Sequence, residues 1–453
     1  MPNTLHKMKL NDRFFSLIGF VLALSSSIFL LLFVDRTSHL LLVSLNVLGW
    51  IGTITLFRFA KEKDVLFFLM LGIAIKLLGI TSTPRLSDDV YRFMWDGNEI
   101  SKSENPYKSL PSEVMASQTQ SAFQAKIYNK LNSPNYYTVY PPLNQLMFEL
   151  VHKLSPKNIE SQLVGFRIYF ILFELLLIFC LWKILPNKKV LLLLLLSPFW
   201  TIELFGNFHF ELIEISFLLC SLLFIHKEKW LSSAVFFGLA TSVKFHLLLV
   251  VPFILLLVPH RKKLVFFLIS AGVFGSWFFA FLPFHHYQNM LESVQLFIKT
   301  FEFNASVFYA IRWVGFTAIG YDIIQKAGPI LSLIAMVLIT VFWWKANSTK
   351  QNIWAYALFG YTAYLFLAPV VHPWYITPLL ILGVLSNYYY PFIWAFISIL
   401  SYTAYFPDKV DESALGNAVE YFLVYGALIF EVWLKQKGNH FLEKSNLRSL
   451  YQS

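Results

Sequence analysis

Phe14 to Val34 (FFSLIGFVLALSSSIFLLLFV) runs without a single charged residue. As a helix, a run of that length rises roughly 30 Å, the thickness of a bilayer's hydrocarbon core. Similar runs recur along the chain, and helices apolar on every side belong in a membrane or a very large core. The 453 residues are 57% hydrophobic, 18% aromatic and only 14% charged, with mean hydropathy +0.60, whereas soluble domains carry roughly 25% charged residues. An all-α polytopic membrane protein is the expected fold class. The formal net charge of +10 does not indicate a nucleic-acid partner, because the basic residues follow membrane topology. Cys180 and Cys220, the only cysteines, lie inside apolar runs and read as small buried hydrophobes rather than a disulfide scaffold. The first run exceeds a usual signal-peptide core, and no small-residue cleavage site follows it before Asp35 and Arg36. It is expected to stay as an anchor.

Apolar runs between charged punctuation predict twelve spans, near 14–34, 40–57, 65–80, 163–182, 190–205, 211–225, 264–283, 327–344, 352–370, 376–387, 390–406 and 416–434. The stretch from Trp230 to Pro259 is too long for one span and short for two, and Lys244, His246 and Pro252 interrupt it. It is expected as a hairpin of two short helices. With the amino terminus cytoplasmic, the inner loops collect clusters such as Lys7, Lys9 and Arg13, then Arg58, Lys61 and Lys63, then Arg261, Lys262 and Lys263. The short outer loops hold only Arg36 and Lys409, a consistent positive-inside bias that puts both termini in the cytoplasm. Two segments are far longer than connectors, and both fall on the outer face: 81–162 and 284–326. Loops of such length are functional or disordered, and the aromatic content of the first argues for order. The apolar spacing of the second suits helices lying along the interface. The whole of 1–453 is expected as one integral-membrane domain.

The densest polar cluster is SDDVYRFMWDGNEISKSENPY, Ser87 to Tyr107. A carboxylate such as Asp88 or Asp89, placed where a wet cavity meets the bilayer, is partly desolvated, which raises its pKa toward the range of a general base. An isolated acidic pair is more often a solvated turn, but this one has company. Arg85 and Arg92 flank it, Tyr91 and Asp96 follow, and Asn105-Pro106-Tyr107 and Tyr140-Pro141-Pro142 supply rigid turns with aromatic faces, as sugar-stacking sites have. A second group comes from other outer ends: GNFHFELIE with Asn207, His209 and Glu211, and VHPWY with His372, Trp374 and Tyr375. Boundary tryptophans and tyrosines are expected as belts, while histidine can donate a hydrogen bond to a lipid phosphate. No HxxxH or HxxE spacing joins these residues, so no metal site is assigned. Ionisable residues inside spans default to functional hypotheses. Lys76, Arg167, Glu174, Glu203, Glu214 and Lys244 qualify, with Lys244 singled out because irregular backbone at membrane depth must be buried in protein or line a cavity.

With these residues the sequence resembles the GT-C superfamily of integral-membrane glycosyltransferases, especially the polyprenyl-phosphate-mannose-dependent mannosyltransferases. The resemblance rests on LSDDVYRFMWDG with the following NPY, on YPPL, GNFHFE, TSVKFHLLLVVP and VHPWYITPLL, in that order along the chain. It departs in one respect: in many members the acidic motif follows the first span, whereas here further spans precede it. The resemblance implies inverting transfer of a sugar, mannose first, from a polyprenyl-phosphate donor to a glycolipid or glycan hydroxyl on the extracytoplasmic side. Asp89, ahead of Asp88, would be the base, in the DxY spacing the resemblance suggests. Lys244, His372, Arg312 and Arg92 would hold the donor phosphate, and Tyr91, Asp96, Tyr107, Tyr140, His209, Trp374 and Tyr375 the sugar or acceptor. No cofactor is required, with a divalent Mg or Mn left open, and no P-loop or GxGxxG follows a strand. The partners are the lipid-linked donor, the acceptor and membrane lipids, without nucleic acid. The tail at Leu450 to Ser453 has no ER-retention signal, which favours a bacterial inner membrane. Two rivals remain: an O-antigen-type polymerase or ligase, which would place its decisive loop late, and a transporter or flippase of lipid-linked saccharides, which predicts internal repeats.

Overall fold

The computed structural model describes residues 3–117, 121–281, 286–349 and 352–437. It is 78% helical, and among the described residues the only β pairing is two isolated bridges, Phe303 with Val370 and Tyr405 with Val410. Among the described residues, six helices are long and apolar enough to cross a membrane: Asn11–Phe33, His39–Phe59, Ile159–Ile184, His260–Phe279, Ile324–Thr349 and Ala414–Gln436. Pro198–Gly206 and Glu211–His226 make a seventh if taken together. The count therefore differs from twelve. Several of the expected runs are shorter apolar helices, among them Ile353–Leu367, Pro373–Ser386 and Tyr390–Ala404, while the stretch expected as a hairpin of two short helices holds Trp230–Val243 and Phe245–Leu257. Proline is the reason at most of these breaks. Pro198, Pro252, Pro373, Pro378 and Pro391 each sit in the first turn of a helix, where a missing N–H costs nothing and the preceding residue is turned away from helix.

The chain gathers into two compact units. One takes residues before Asp88, Phe166–His209, and Tyr389 onward; the other takes Asp88–Gly165 and Phe210–Tyr388. In the first unit, Gly19 and Gly52 let the first two helices touch backbone to backbone, since a Cβ on either would lie 2.7 Å from the other's carbonyl oxygen. Its intramembrane charges have partners within the unit, although Nε and Nη2 of Arg167 find no hydrogen-bond acceptor among the described residues. Lys76 pairs with Glu174 at 2.7 Å, and Trp200 Nε1 donates to the same carboxylate at 3.1 Å. Buried Arg167 donates to the Ile80 carbonyl at 2.8 Å and stands 4.7 Å from the Phe208 ring centre. Glu203 sits in a π-helical turn, Thr201–Gly206, and accepts from the Tyr402 hydroxyl at 2.9 Å.

The second unit contains both long segments expected on the outer face, apart from residues 81–87. The first folds into helices Asp89–Ser101, Pro111–Ser117, Ala122–Tyr128 and Pro142–Leu154, and the second into Tyr287–Lys299 and Val307–Ile319. Residues 118–120 and 284–285 of those segments lie outside the described residues. The Ala122–Tyr128 helix opens on a capping box between Ser121 and Gln124, which satisfies two of its otherwise orphaned N–H groups. The Lys244 interruption is where the sequence reading put it. The Trp230–Val243 helix stops there, Lys244 is extended (φ −145°, ψ 146°), and a 3-10 stretch Phe245–Val250 follows.

Candidate active site

The Asp89–Ser101 helix sets the site's acidic wall. Asp88 stands at its N-cap and Asp89 opens its first turn, where the positive end of the helix dipole favours a carboxylate. The helix is fixed by the Pro142–Leu154 helix. Phe93 stacks on Phe148 with centroids 4.6 Å apart, and Gly97 faces the Phe148 carbonyl so closely that a Cβ would lie 2.5 Å from its oxygen. Arg92 and Asp96, one turn apart and both buried, form an ion pair at 2.8 Å. Arg92 Nη1 also donates to the Tyr136 carbonyl at 2.8 Å, and Gln145 donates to Asp96 at 3.0 Å. The Tyr107 hydroxyl donates to the Tyr140 carbonyl at 2.6 Å. This network holds the 132–141 loop against the helix, so that Tyr140 and Asn132 reach Asp89.

Asp89 is half-buried and accepts a hydrogen bond from Asn132 Nδ2 at 2.9 Å. Burial raises its pKa above the ordinary carboxylate value, while the Asn132 hydrogen bond, the charge of Lys244 and a hydrogen bond from the Tyr140 hydroxyl pull it back. Burial and the Asp89 charge push Tyr140 well up, so its hydroxyl stays protonated and donates.

Lys244 forms the basic wall. Breaking a helix frees backbone groups that must find partners. The Val243 carbonyl accepts from Asn144 Nδ2 at 2.9 Å, and the Leu247 N–H donates to Glu214 at 3.2 Å. The lysine ammonium lies 3.0 Å from Glu211 Oε1 and 5.8 Å from the Tyr140 ring centre. His372 follows the Ile353–Leu367 helix in a segment tied down by Val371 N–H to the Phe303 carbonyl at 2.8 Å. Its ring stacks on Trp374 at 4.3 Å and lies 5.4 Å from Tyr375, which packs 4.7 Å from His246. Burial and the Lys244 charge push the His372 imidazole down to about 3. It is therefore a neutral hydrogen-bonding group.

A cavity of about 320 Å³ opens from this cluster. Tyr140, Lys244, His246 and Tyr375 line its polar part, while Phe297, Leu331 and Met336 line an apolar part, with Met336 half exposed on the Ile324–Thr349 helix.

The structure thus brings together Asp89, Tyr140, Lys244, His372, Trp374 and Tyr375, with Asp88 adjoining. Others have different employment. Arg92, Asp96 and Tyr107 are scaffold, and buried Tyr91 receives a hydrogen bond from Lys130 at 3.4 Å. Arg312 is engaged by Glu302 at 2.9 Å and Asp322 at 3.3 Å. His209 belongs to the first unit and lies 3.4 Å from Glu203. Sequence reasoning named Glu211 but missed it as the partner of Lys244. It also missed Asn132, Asn144 and His246. A buried lysine at a helix break requires a carboxylate, and the i, i+3 pair Glu211 and Glu214 was the available signal.

Residues 41–260 match the model of the MptA_B family, described as alpha-(1->6)-mannopyranosyltransferase, N-terminal domain. No curated protein and no solved structure matches the chain. The matched residues include Asp89, Tyr140, Glu211 and Lys244, whereas His372, Trp374 and Tyr375 lie beyond them. Over residues 41–260 the chain is therefore similar to the MptA_B family of alpha-(1->6)-mannopyranosyltransferases, and the protein is a membrane mannosyltransferase, one of the glycosyltransferases.

Proposed function

We propose that the enzyme transfers a mannosyl group, with inversion, from a polyprenyl-phosphate donor to a hydroxyl of a glycolipid or glycan on the extracytoplasmic side of the membrane. The observation that carries this reading is the pairing of one half-buried carboxylate, Asp89, with one cation, Lys244, within electrostatic reach of each other. In an inverting displacement the acceptor oxygen attacks the anomeric carbon as the bond to the phosphate oxygen breaks. Asp89 takes the acceptor's proton, and the electron pair leaves with the lipid phosphate, whose charge rises from one to two. Lys244 interacts more strongly with that product-like charge than with the donor, so it favours the transition state. Neutral His372 supplies a ring N–H to the phosphate or sugar, and Trp374 and Tyr375 offer stacking faces. The apolar part of the cavity suits the first isoprene units of the donor. Placement on the outer side rests on the lysine and arginine distribution, and the acceptor is left at the level of a sugar hydroxyl. A bacterial inner membrane remains the preferred location.

The test is transfer by the purified protein in lipid, supplied with radiolabelled polyprenyl-phosphate mannose and a glycolipid extract. Asp89→Asn keeps size but cannot accept a proton, and turnover should fall by about 10²- to 10⁴-fold with donor retention kept. Asp88→Asn should cost less. Near-wild-type transfer by both variants would end the assignment of the base.

A further inference from the structure

Glu211 has no part in the proposed transfer, yet it occupies the cation that the donor needs. It is fully buried, opens the Glu211–His226 helix, and lies 3.0 Å from Lys244. Glu214, equally buried, stands one turn on. Its Oε1 accepts from the Leu247 N–H at 3.2 Å, and its Oε2 has no hydrogen-bond partner among the described residues. The charged and titratable groups facing Glu211 are Lys244 at the end of the neighbouring helix, Asp89 from the Asp89–Ser101 helix, Glu214 on its own helix, Tyr361 from the Ile353–Leu367 helix, and Tyr375 ahead of the Thr377–Ser386 helix. Of these, Lys244 alone is a cation, and Asp89 and Glu214 make three carboxylates with Glu211 itself.

A lipid phosphodiester would bring a fourth negative charge into this group. Carboxylates clustered out of water cannot all stay ionised when their one counter-ion is engaged elsewhere. The single charge of Lys244 cannot neutralise both the phosphate and Glu211. We propose that the arriving donor phosphate displaces Glu211 from Lys244, and that the Glu211–Glu214 pair takes up one proton from water as this happens. Donor loading and protonation of the pair are then one event, reversed when the lipid phosphate leaves. In this role Glu211 is a positioning residue. It holds Lys244 in the extended break while the site is empty and yields it, neutralised, to the substrate. The inference rests on the phosphate role given to Lys244 above.

Isothermal titration of the full-length protein in detergent with farnesyl methyl phosphate, a phosphodiester that does not itself titrate near neutrality, tests this. Comparing buffers of different ionisation heat gives the protons exchanged on binding. About one proton should be taken up per lipid bound, and affinity should weaken by up to about tenfold per unit rise in pH. Glu211→Gln should abolish the uptake and bind more tightly than wild type at alkaline pH. Glu214→Gln, which keeps an oxygen for the Leu247 N–H, should reduce the uptake, and Asp89→Asn should leave it. A merely structural role for Glu211 moves no proton. Binding to wild type without proton uptake overturns the inference alone, as does uptake that survives Glu211→Gln but is lost in Asp89→Asn. Absence of any binding to wild type overturns the phosphate reading beneath it. If Glu211→Gln does not fold, wild type and Glu214→Gln still decide the matter.

Discussion

The position of Asp89 makes its titration the most informative property of a single side chain in this enzyme. Its pKa is raised by burial and drawn back by Asn132, Lys244 and Tyr140, and only its ionised form can accept a proton. The acid limb of kcat/KM should therefore lie above the ordinary carboxylate value of about 3.9. Lys244→Met removes one of the opposing influences, so a pH–rate series should show the limb moving to higher pH as well as a lower plateau. The same shift has a consequence for folding. A carboxyl whose folded pKa exceeds its unfolded value contributes stability at low pH that is lost as pH rises through the folded pKa. Asp89→Asn should accordingly raise Tm at neutral pH, with the gain vanishing near pH 4, even as it removes activity. At this scale the sequence was informative about charge and silent about pairing. Asp89, Lys244 and His372 were legible because buried polar groups next to helix breaks are costly and need a use. Arg312, Arg92 and His209 have the same chemistry, but Glu302, Asp96 and Glu203 already engage them. The i, i+4 spacing of Arg92 and Asp96 announces that pair, but no such spacing announces Glu302 or Glu203.

At the scale of elements, what matters is how two helices are held so that one loop can reach an acid. The Asp89–Ser101 and Pro142–Leu154 helices meet at Gly97, where the missing side chain admits the Phe148 carbonyl. Gly97→Ala must push backbone away, because the obstacle is a carbonyl and not a flexible side chain. Overpacking of this kind costs about 1–3 kcal/mol, so a lower melting temperature in detergent is expected. Transfer should fall with it, since Tyr140 and Asn132 hang from the second helix and its preceding loop. Transfer and melting unchanged from wild type would show that the two helices are not coupled as described. The helix break at Lys244 was readable because a charge and a nearby proline interrupt an apolar run that fits neither one span nor two. The helices inside 81–162 were not read, because polar surface and short length mask a periodic pattern. Their order was nevertheless signalled by Tyr and Trp, which now fill contacts such as Trp95 against Tyr128, centroids 6.0 Å apart.

For the molecule as a whole, the lysine and arginine asymmetry yields an orientation that can be tested in intact cells. Cysteines placed at Ser112 and Ser413 should react with a membrane-impermeant maleimide from outside, and one at Ser348 should not. Reversed labelling would move the site to the cytoplasmic face and remove the case for a lipid-linked donor presented from the other side. Helical class and membrane residence were legible from composition alone, but the number of spans was not. Hydropathy registers an apolar run without seeing where proline divides it, and a divided run can be a crossing, a half-crossing or a buried helix. Cys180 and Cys220 add something to this scale. Both are buried, at 0% and 5% exposure, so the native chain offers thiol reagents little to attack. It is in effect a dark background against which one introduced thiol, carrying a fluorophore or a spin label, becomes the sole voice in the spectrum, without first stripping the protein of residues that its packing uses.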